Sequence, residues 1–377
     1  MMDAKKYDYI VVGAGIFGAV IAERLASKNK NVLVVDRRDH IAGNIYSKID
    51  KATGIEVHKY GSHIFHTKDD DVWNYLSKFA DFNNYVHTVN ARHNNKLYPM
   101  PINLETINKF YNLNMTAAEA EQFIKSEVSK ENIANPSNFE EKGISLVGRK
   151  LYEAFLRNYT RKQWGTDPCS LSSELLHRIP LRFSNNNRYF MDAKYQGIPK
   201  DGYTKMVENI LHHPNITVKL NVDFNSIKND FKNSHIVYCG QVDELLGYQL
   251  GILPYRSLRF EEERTTNGLG AAVVNESDLD VQYTRTHDYK YYQIHEPKII
   301  EQPISIICRE YPANFQKGSE AYYPINNPES EKLYLAYVKL AKQQFPNLVL
   351  GGRLGAYRYW DMDVAVKNAL DLAERIG

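Results

Sequence analysis

Cysteine is scarce in this chain. Cys169, Cys239 and Cys308 are the three present among 377 residues; they stand far apart and form no C-x-x-C pair. They are read as unbridged thiols of a reducing, cytoplasmic compartment. Charge of one sign is also missing, since 47 Lys and Arg face 45 Asp and Glu. That balance argues against a nucleic-acid-coating surface, so an acidic ligand has to be met by local arginines. No run of about 18 apolar residues occurs, which excludes a transmembrane helix and membrane insertion. The start, Met1-Met2-Asp3-Ala4-Lys5-Lys6, lacks the apolar core of a signal peptide. No metal-ligand cluster and no Ser-His-Asp arrangement stands out, and no internal repeat or low-complexity linker is present. The length exceeds the usual size of one core and implies two or three domains.

What is present begins at Tyr7. Tyr9-Ile10-Val11-Val12 has the make-up of a buried strand. It breaks into Gly13-Ala14-Gly15-Ile16-Phe17-Gly18, and Ala19 to Ala26 reads as a helix. In such a turn Gly13 bends the chain, Gly15 lets the backbone approach a pyrophosphate, and Gly18 lets helix and strand pack closely. A second strand, Val32 to Val35, ends in Asp36, placed to accept hydrogen bonds from an adenosine ribose. Strand, glycines, helix, strand and acid together predict dinucleotide binding.

Further along, Arg37 to Asn44 is a polar turn with an Ala42-Gly43 pair, and alanine there requires a negative φ. Tyr60 to Thr67 leads into a helix, with Thr67 as N-cap and Asp69, Asp70 and Asp71 in the first turn. Thr116 to Glu119 and Ser137 to Glu140 both match capping boxes, so 91–165 is expected to be a helical domain inserted into the nucleotide-binding one. A helix Tyr203–Leu211 and a strand Ile216–Leu220 return to the α/β layer. Strand-like runs at Ser257–Phe260, Ala271–Asn275, Val281–Arg285 and Ile304–Cys308 predict a separate antiparallel layer. A helix Pro328–Gln344, a strand Leu348–Leu350 and a helix capped by Asp361 and ending at Ile376 close the chain. The expected division is therefore 1–90, 200–245 and 325–377 as a discontinuous Rossmann-type α/β domain, 91–165 as the helical insert, and 166–199 with 246–324 as an antiparallel-sheet substrate domain.

Several stretches together resemble the bacterial UDP-galactopyranose mutases. They are Gly13-Ala-Gly15-Ile-Phe-Gly18, Arg38-Asp-His-Ile, Tyr60-Gly-Ser-His63-Ile-Phe-His66-Thr67, Gly148 to Phe155, Tyr159 to Gly165, Arg178 to Phe183, Tyr283-Thr-Arg285, Tyr322-Tyr323-Pro324 and Gly352 to Asp363. The likeness spans nearly the whole chain, and Gly352-Arg353-Leu-Gly-Ala-Tyr357-Arg-Tyr359-Trp-Asp361-Met362 is far more specific than the glycine fingerprint.

The resemblance implies ring contraction of UDP-galactopyranose to UDP-galactofuranose without net oxidation. Reduced FAD would be the nucleophile at the anomeric carbon, through a covalent flavin–sugar adduct and an iminium. It implies that Arg178 and Arg285 clamp the pyrophosphate, planar guanidinium forks being suited to it. Phe155 and Tyr159 would stack on the uracil, Tyr189, Tyr323 and Tyr359 would reach phosphate oxygens, and Trp164 would orient the hexose. His66 and Arg353 would act beside the flavin, and Asp361 near flavin and substrate. Gly13, Gly15, Phe17, Gly18, Asp36, Arg37, Gly43, Asn44, His63, Arg353, Asp361, Met362 and Asp363 would hold the cofactor. Arg182 reads as structural. His87 stands where close relatives carry Asn, which singles out one substrate contact. The resemblance also implies a homodimer working in the cytoplasm on precursors of cell-surface polysaccharide. Two other readings share these features: an FAD-dependent oxidase or desaturase on the same fold, and a mutase that also accepts UDP-N-acetylgalactosamine.

Overall fold

The computed structural model describes residues 6–178, 181–231 and 234–377, the side chains of residues 175, 177 and 178 excepted. Its centre is a five-stranded parallel sheet. The strands run in the order Leu348–Leu350, His235–Tyr238, Tyr9–Val12, Val32–Val35 and Ile216–Lys219. Tyr9–Val12 and Val32–Val35 are buried along their full length, which is why both read as unbroken apolar runs. Val11, Val32 and Val34 face one cluster with Val20, Leu25 and Ala369. Ile10, Leu33 and Val35 face another with Phe231, Leu245, Tyr337 and Phe345. Helices thus cover both faces, the doubly wound arrangement of a Rossmann-type domain.

The helix Ile16–Ala26 packs against the closing helix Met362–Ile376 and against Tyr203–Leu211. The helices Tyr203–Leu211 and Pro328–Gln344 have the bounds that the sequence predicts. Asn327 caps the second, its side chain accepting from Ser330 N while Pro328 takes the first helical position, where no N–H is required.

The second layer is a seven-stranded sheet. Its order is Tyr323–Pro324, Tyr255–Thr265, Ser305–Asn314, Arg285–Asp288, Val273–Glu276, Val89–His93, Lys96–Met100. It is antiparallel except where Val273–Glu276 runs parallel to Val89–His93. Three expectations need correction here. Residues 89–100 are sheet, so the helical segment of 91–165 starts at Leu104 and ends at Trp164. The strand expected at Val281–Arg285 begins at Arg285. Residues 166–199 contribute short 3₁₀ turns and the strand Tyr195–Gly197, which pairs with Phe65–Thr67 rather than with the large sheet.

Capping also differs in register. Thr116 and Glu119 form the expected box, but the next helix is capped by Asn138, one residue later than Ser137. Asp69 caps the helix Asp70–Leu76; Thr67 instead accepts from Asp69 N and belongs to a strand. The long helical stretch from Arg149 to Trp164 contains a π-helical segment, Tyr152–Arg157, in its middle. Such widened turns are frequent at functional sites.

Candidate functional site

The glycine turn opens onto a cleft at the ends of the parallel strands. Gly13 has φ +113°, and a Cβ there would press on Cys239. At Gly18 a Cβ would lie 2.0 Å from the carbonyl oxygen of Gly13, so close packing of helix on strand demands glycine. Gly15 is different. A Cβ on it would meet only Gly43 at ordinary contact distance, so the protein itself leaves the space in front of it open. Gly15 also caps the helix without a side-chain hydrogen bond, which leaves the first-turn N–H groups of Ile16–Ala26 facing the cleft. A cradle of this kind fits a dinucleotide pyrophosphate.

Of the expected cofactor residues, Gly13, Gly15, Phe17, Gly18, Asp36, Arg37, Gly43, Asn44, His63, Arg353 and Met362 line this cleft. Asp36 accepts from Ala14 N at 2.8 Å and from Arg38 N at 2.9 Å, which fixes its carboxylate at the end of the second strand. Arg37 pairs with Glu244 and Glu320, and Arg38 bridges Asn44 and Glu320, so this mouth of the cleft carries both charges. Asp361 is the N-cap residue of the closing helix, and Asp363 in its first turn accepts from Val364 N. Ala42 overturns an expectation: its φ is +71°, not negative. Its N–H donates to Ala14 O at 2.8 Å and it bridges Gly15, so the crossing of the two turns holds it in the left-handed region.

A second group gathers around Arg285. Its guanidinium donates to Tyr159 Oη at 2.9 Å and to Asn275 Oδ1 at 3.1 Å. Burial opposes its charge, but Tyr159, Glu310, Tyr189 and Tyr323 raise its pKa well above the ordinary value, so it stays a cation. Tyr323 and Tyr359 stack at 5.1 Å, and Arg353 lies over both rings at 5.4 and 5.3 Å while donating to Trp360 O. Burial raises the pKa of Tyr159 and Tyr323, which keeps their hydroxyls protonated as donors. Tyr189 is 38% exposed and meets His87 edge to face. Arg353 connects the two groups, since it lines the cleft and lies over Tyr323 and Tyr359; in the cleft it acts on His63, whose pKa is lowered to about 4, chiefly by burial.

Other expected residues are placed differently. Phe155 is 4% exposed and makes T-shaped contacts with Tyr98, Phe110 and His93, so it packs in the core of the helical segment. His66 lies on a strand and stacks on Phe190 at 3.6 Å, and His87 stacks on the same ring at 5.5 Å. Burial lowers the His87 pKa to about 3, so that ring is neutral. Trp164 ends its helix half-buried. Arg182 holds a turn through the carbonyls of Asn186 and Arg188. The side chain of Arg178 lies outside the described residues.

The sequence reading missed Glu310. It sits opposite Arg285 in the strand register and is 6% exposed. Burial pushes its pKa up, but Arg285 and then His287 and His63 outweigh that and hold it below the usual value, so it is a buried carboxylate. The neutral His287 donates to it from Nε2 at 3.3 Å and accepts from Ser62 Oγ at Nδ1, at 2.6 Å. Strand alternation offered a signal, since Glu310 shares a face with buried Ile306 and Cys308. Among the described residues no three His, Cys, Asp or Glu side chains converge as a metal site.

Comparisons with known proteins agree with this layout. Residues 154–359 match the family model described as UDP-galactopyranose mutase, and residues 11–79 one described as NAD(P)-binding Rossmann-like domain. A protein of Klebsiella pneumoniae named a probable UDP-galactopyranose mutase is 40% identical over 370 residues, covering 97% of this chain and 93% of that one. The dTDP-fucopyranose mutase of Escherichia coli is 37% identical over 372 residues, 97% of each. A crystal structure of reduced UDP-galactopyranose mutase covers 98% of this chain and 95% of its own, with a TM-score of 0.72 at 15% identity, a likeness of fold.

Proposed function

The chain belongs to the UDP-galactopyranose mutase family, and from that premise we propose that it interconverts UDP-galactopyranose and UDP-galactofuranose with FAD as cofactor. The observation that carries the reading is Arg285, a half-buried permanent cation held on Tyr159 and linked through Tyr323 and Arg353 to the glycine-lined cleft. Gly13, Gly15 and Gly18 with the first turn of Ile16–Ala26 would hold the cofactor pyrophosphate, and Asp36 the adenosine ribose. Reduced FAD, when bound, supplies the nucleophile for the anomeric carbon of the sugar.

The protein's part is charge and orientation. Departure of UDP puts negative charge on a phosphate, and Arg285 can meet it without moving a proton because it never deprotonates. Tyr323 and Tyr359, with Tyr159 behind Arg285, present O–H donors to the same diphosphate. Glu310 is ionised and fixed by His287, and its charge favours the cationic guanidinium through space. Arg178 would complete the clamp. We retain the cytoplasmic homodimer as part of this reading; no described helix is long and apolar enough to cross a membrane.

A dTDP-linked 6-deoxyhexose is a second reading, favoured by the full-length likeness to the dTDP-fucopyranose mutase. The test is to incubate dithionite-reduced protein with UDP-galactose and with dTDP-fucose, and to determine the ring form of the product by NMR. Furanose from UDP-galactose supports the first reading and furanose from dTDP-fucose alone the second. An oxidised sugar, or no ring contraction with either, overturns both.

A further inference from the structure

The helix Asn158–Trp164, which carries Tyr159, also carries a lysine with no part in the site described above. Lys162 Nζ donates to four backbone carbonyls: Glu276 at 2.8 Å, Asp278 at 2.7 Å, Val281 at 2.9 Å and Tyr283 at 3.2 Å. The first is the last residue of strand Val273–Glu276, and the other three belong to the turn that joins it to strand Arg285–Asp288. An ammonium has three N–H groups, so four acceptors share them and the turn closes around the charge. Glu276, Asp278 and Asp280 add negative potential, although Arg92 already pairs with Glu276 and His93 with Asp278. Burial lowers the pKa of Lys162 to about 8 against those carboxylates, which leaves it charged at neutral pH. A ring of inward carbonyls is how proteins replace the hydration shell of a monovalent cation.

The turn runs directly into Arg285, and Arg285 bonds Tyr159, three residues before Lys162 on the same helix. Helix, turn and arginine therefore form a closed loop with two fastenings, Lys162 in the turn and Arg285 on Tyr159. We propose that Lys162 is a built-in monovalent cation that shapes the 277–284 turn and so sets Arg285 against Tyr159, a positioning residue for diphosphate binding. This rests on the reading of Arg285 as a diphosphate ligand. A lysine that merely stabilised the fold would not act through Arg285, and that difference is measurable.

The FAD-loaded protein and its Lys162→Met, Arg285→Ala and double variants are titrated with UDP. Lys162→Met should weaken UDP binding about tenfold, the size of one charged hydrogen bond misplaced, and should add no further loss in the Arg285→Ala background. In Lys162→Ala, butylammonium or potassium should restore affinity, while tetramethylammonium at equal ionic strength should not. Wild-type affinity in Lys162→Met, or losses that add fully in the double variant, overturn the proposal. If wild-type protein itself binds no UDP, the functional reading falls, and the latch is judged separately by hydrogen exchange. Lys162→Met should then speed exchange of the 277–286 amides selectively; unchanged exchange there, or equal acceleration throughout the protein, refutes it.

Discussion

Replacing Arg285 by alanine should damage two things that a second substitution can separate. The guanidinium donates to Tyr159 and Asn275 and is the strongest of the groups that keep Glu310 ionised against its burial. Without it Glu310 is left as a buried carboxylate whose direct partner is a neutral histidine. Breaking a buried charge pair costs about 3–5 kcal/mol when the partners touch. Here Glu310 takes its hydrogen bond from His287, so we expect about 2–3 kcal/mol. UDP affinity should fall about ten- to a hundredfold, the loss of a charged hydrogen bond to phosphate. Adding Glu310→Gln removes the stranded charge and should restore about 1–2 kcal/mol of stability while leaving UDP binding weak. Urea denaturation and UDP calorimetry on wild type, Arg285→Ala and the double variant give both quantities. The deficit of Arg285→Ala should shrink as pH falls, because without Arg285 burial raises the Glu310 pKa and the carboxylate takes up a proton. A single variant as stable as wild type at pH 7 would show that Arg285 does not hold the Glu310 charge, and a double variant that recovers UDP affinity would show that Arg285 does not bind the diphosphate.

Gly18→Ala should lose bound flavin and about 1–3 kcal/mol of stability, because the new Cβ has the Gly13 carbonyl oxygen 2.0 Å away; full flavin content with an unchanged Tm contradicts that. Glu56 is buried, its Oε1 lacks a hydrogen-bond partner, and burial raises its pKa from 4.5 to about 7. The folded protein then holds a proton that the unfolded chain releases, so this carboxyl's contribution to stability is lost as pH rises from about 4.5 through 7. Glu56→Gln should therefore gain up to about 3 kcal/mol on wild type between pH 5 and pH 7.5; a stability difference flat across that range sinks the assignment.

The nucleotide-binding half was legible because its signals are local. Strand, glycines, helix and Asp36 lie within 28 residues of one another, and each residue type is demanded by its own backbone position. The arginine-centred half was legible mainly through resemblance, since its geometry depends on distant pairings. Val89–His93 joins Val273–Glu276 across more than 180 residues, and no local period announces it. Ala42 escaped for a related reason: propensity argues against φ +71°, but hydrogen bonding to Ala14 across the neighbouring turn overrides it. At Phe155 a motif position fixes residue type and leaves open whether the ring faces a ligand or the core, and the ring is 4% exposed. Glu310 was visible in the alternation of its strand, yet a lone acid among apolar residues gains meaning only beside Arg285, which the fold places opposite it.

In the proposed reaction the reduced cofactor acts on the sugar with no net loss of electrons. The direct measurement is an electron count: protein reduced anaerobically with a known amount of dithionite, given excess nucleotide sugar, and assayed for furanose formed per reducing equivalent. Many turnovers per equivalent are expected while the flavin absorbance stays that of the reduced form. One product per equivalent, with the flavin oxidising in step, would contradict it and favour an oxidoreductase.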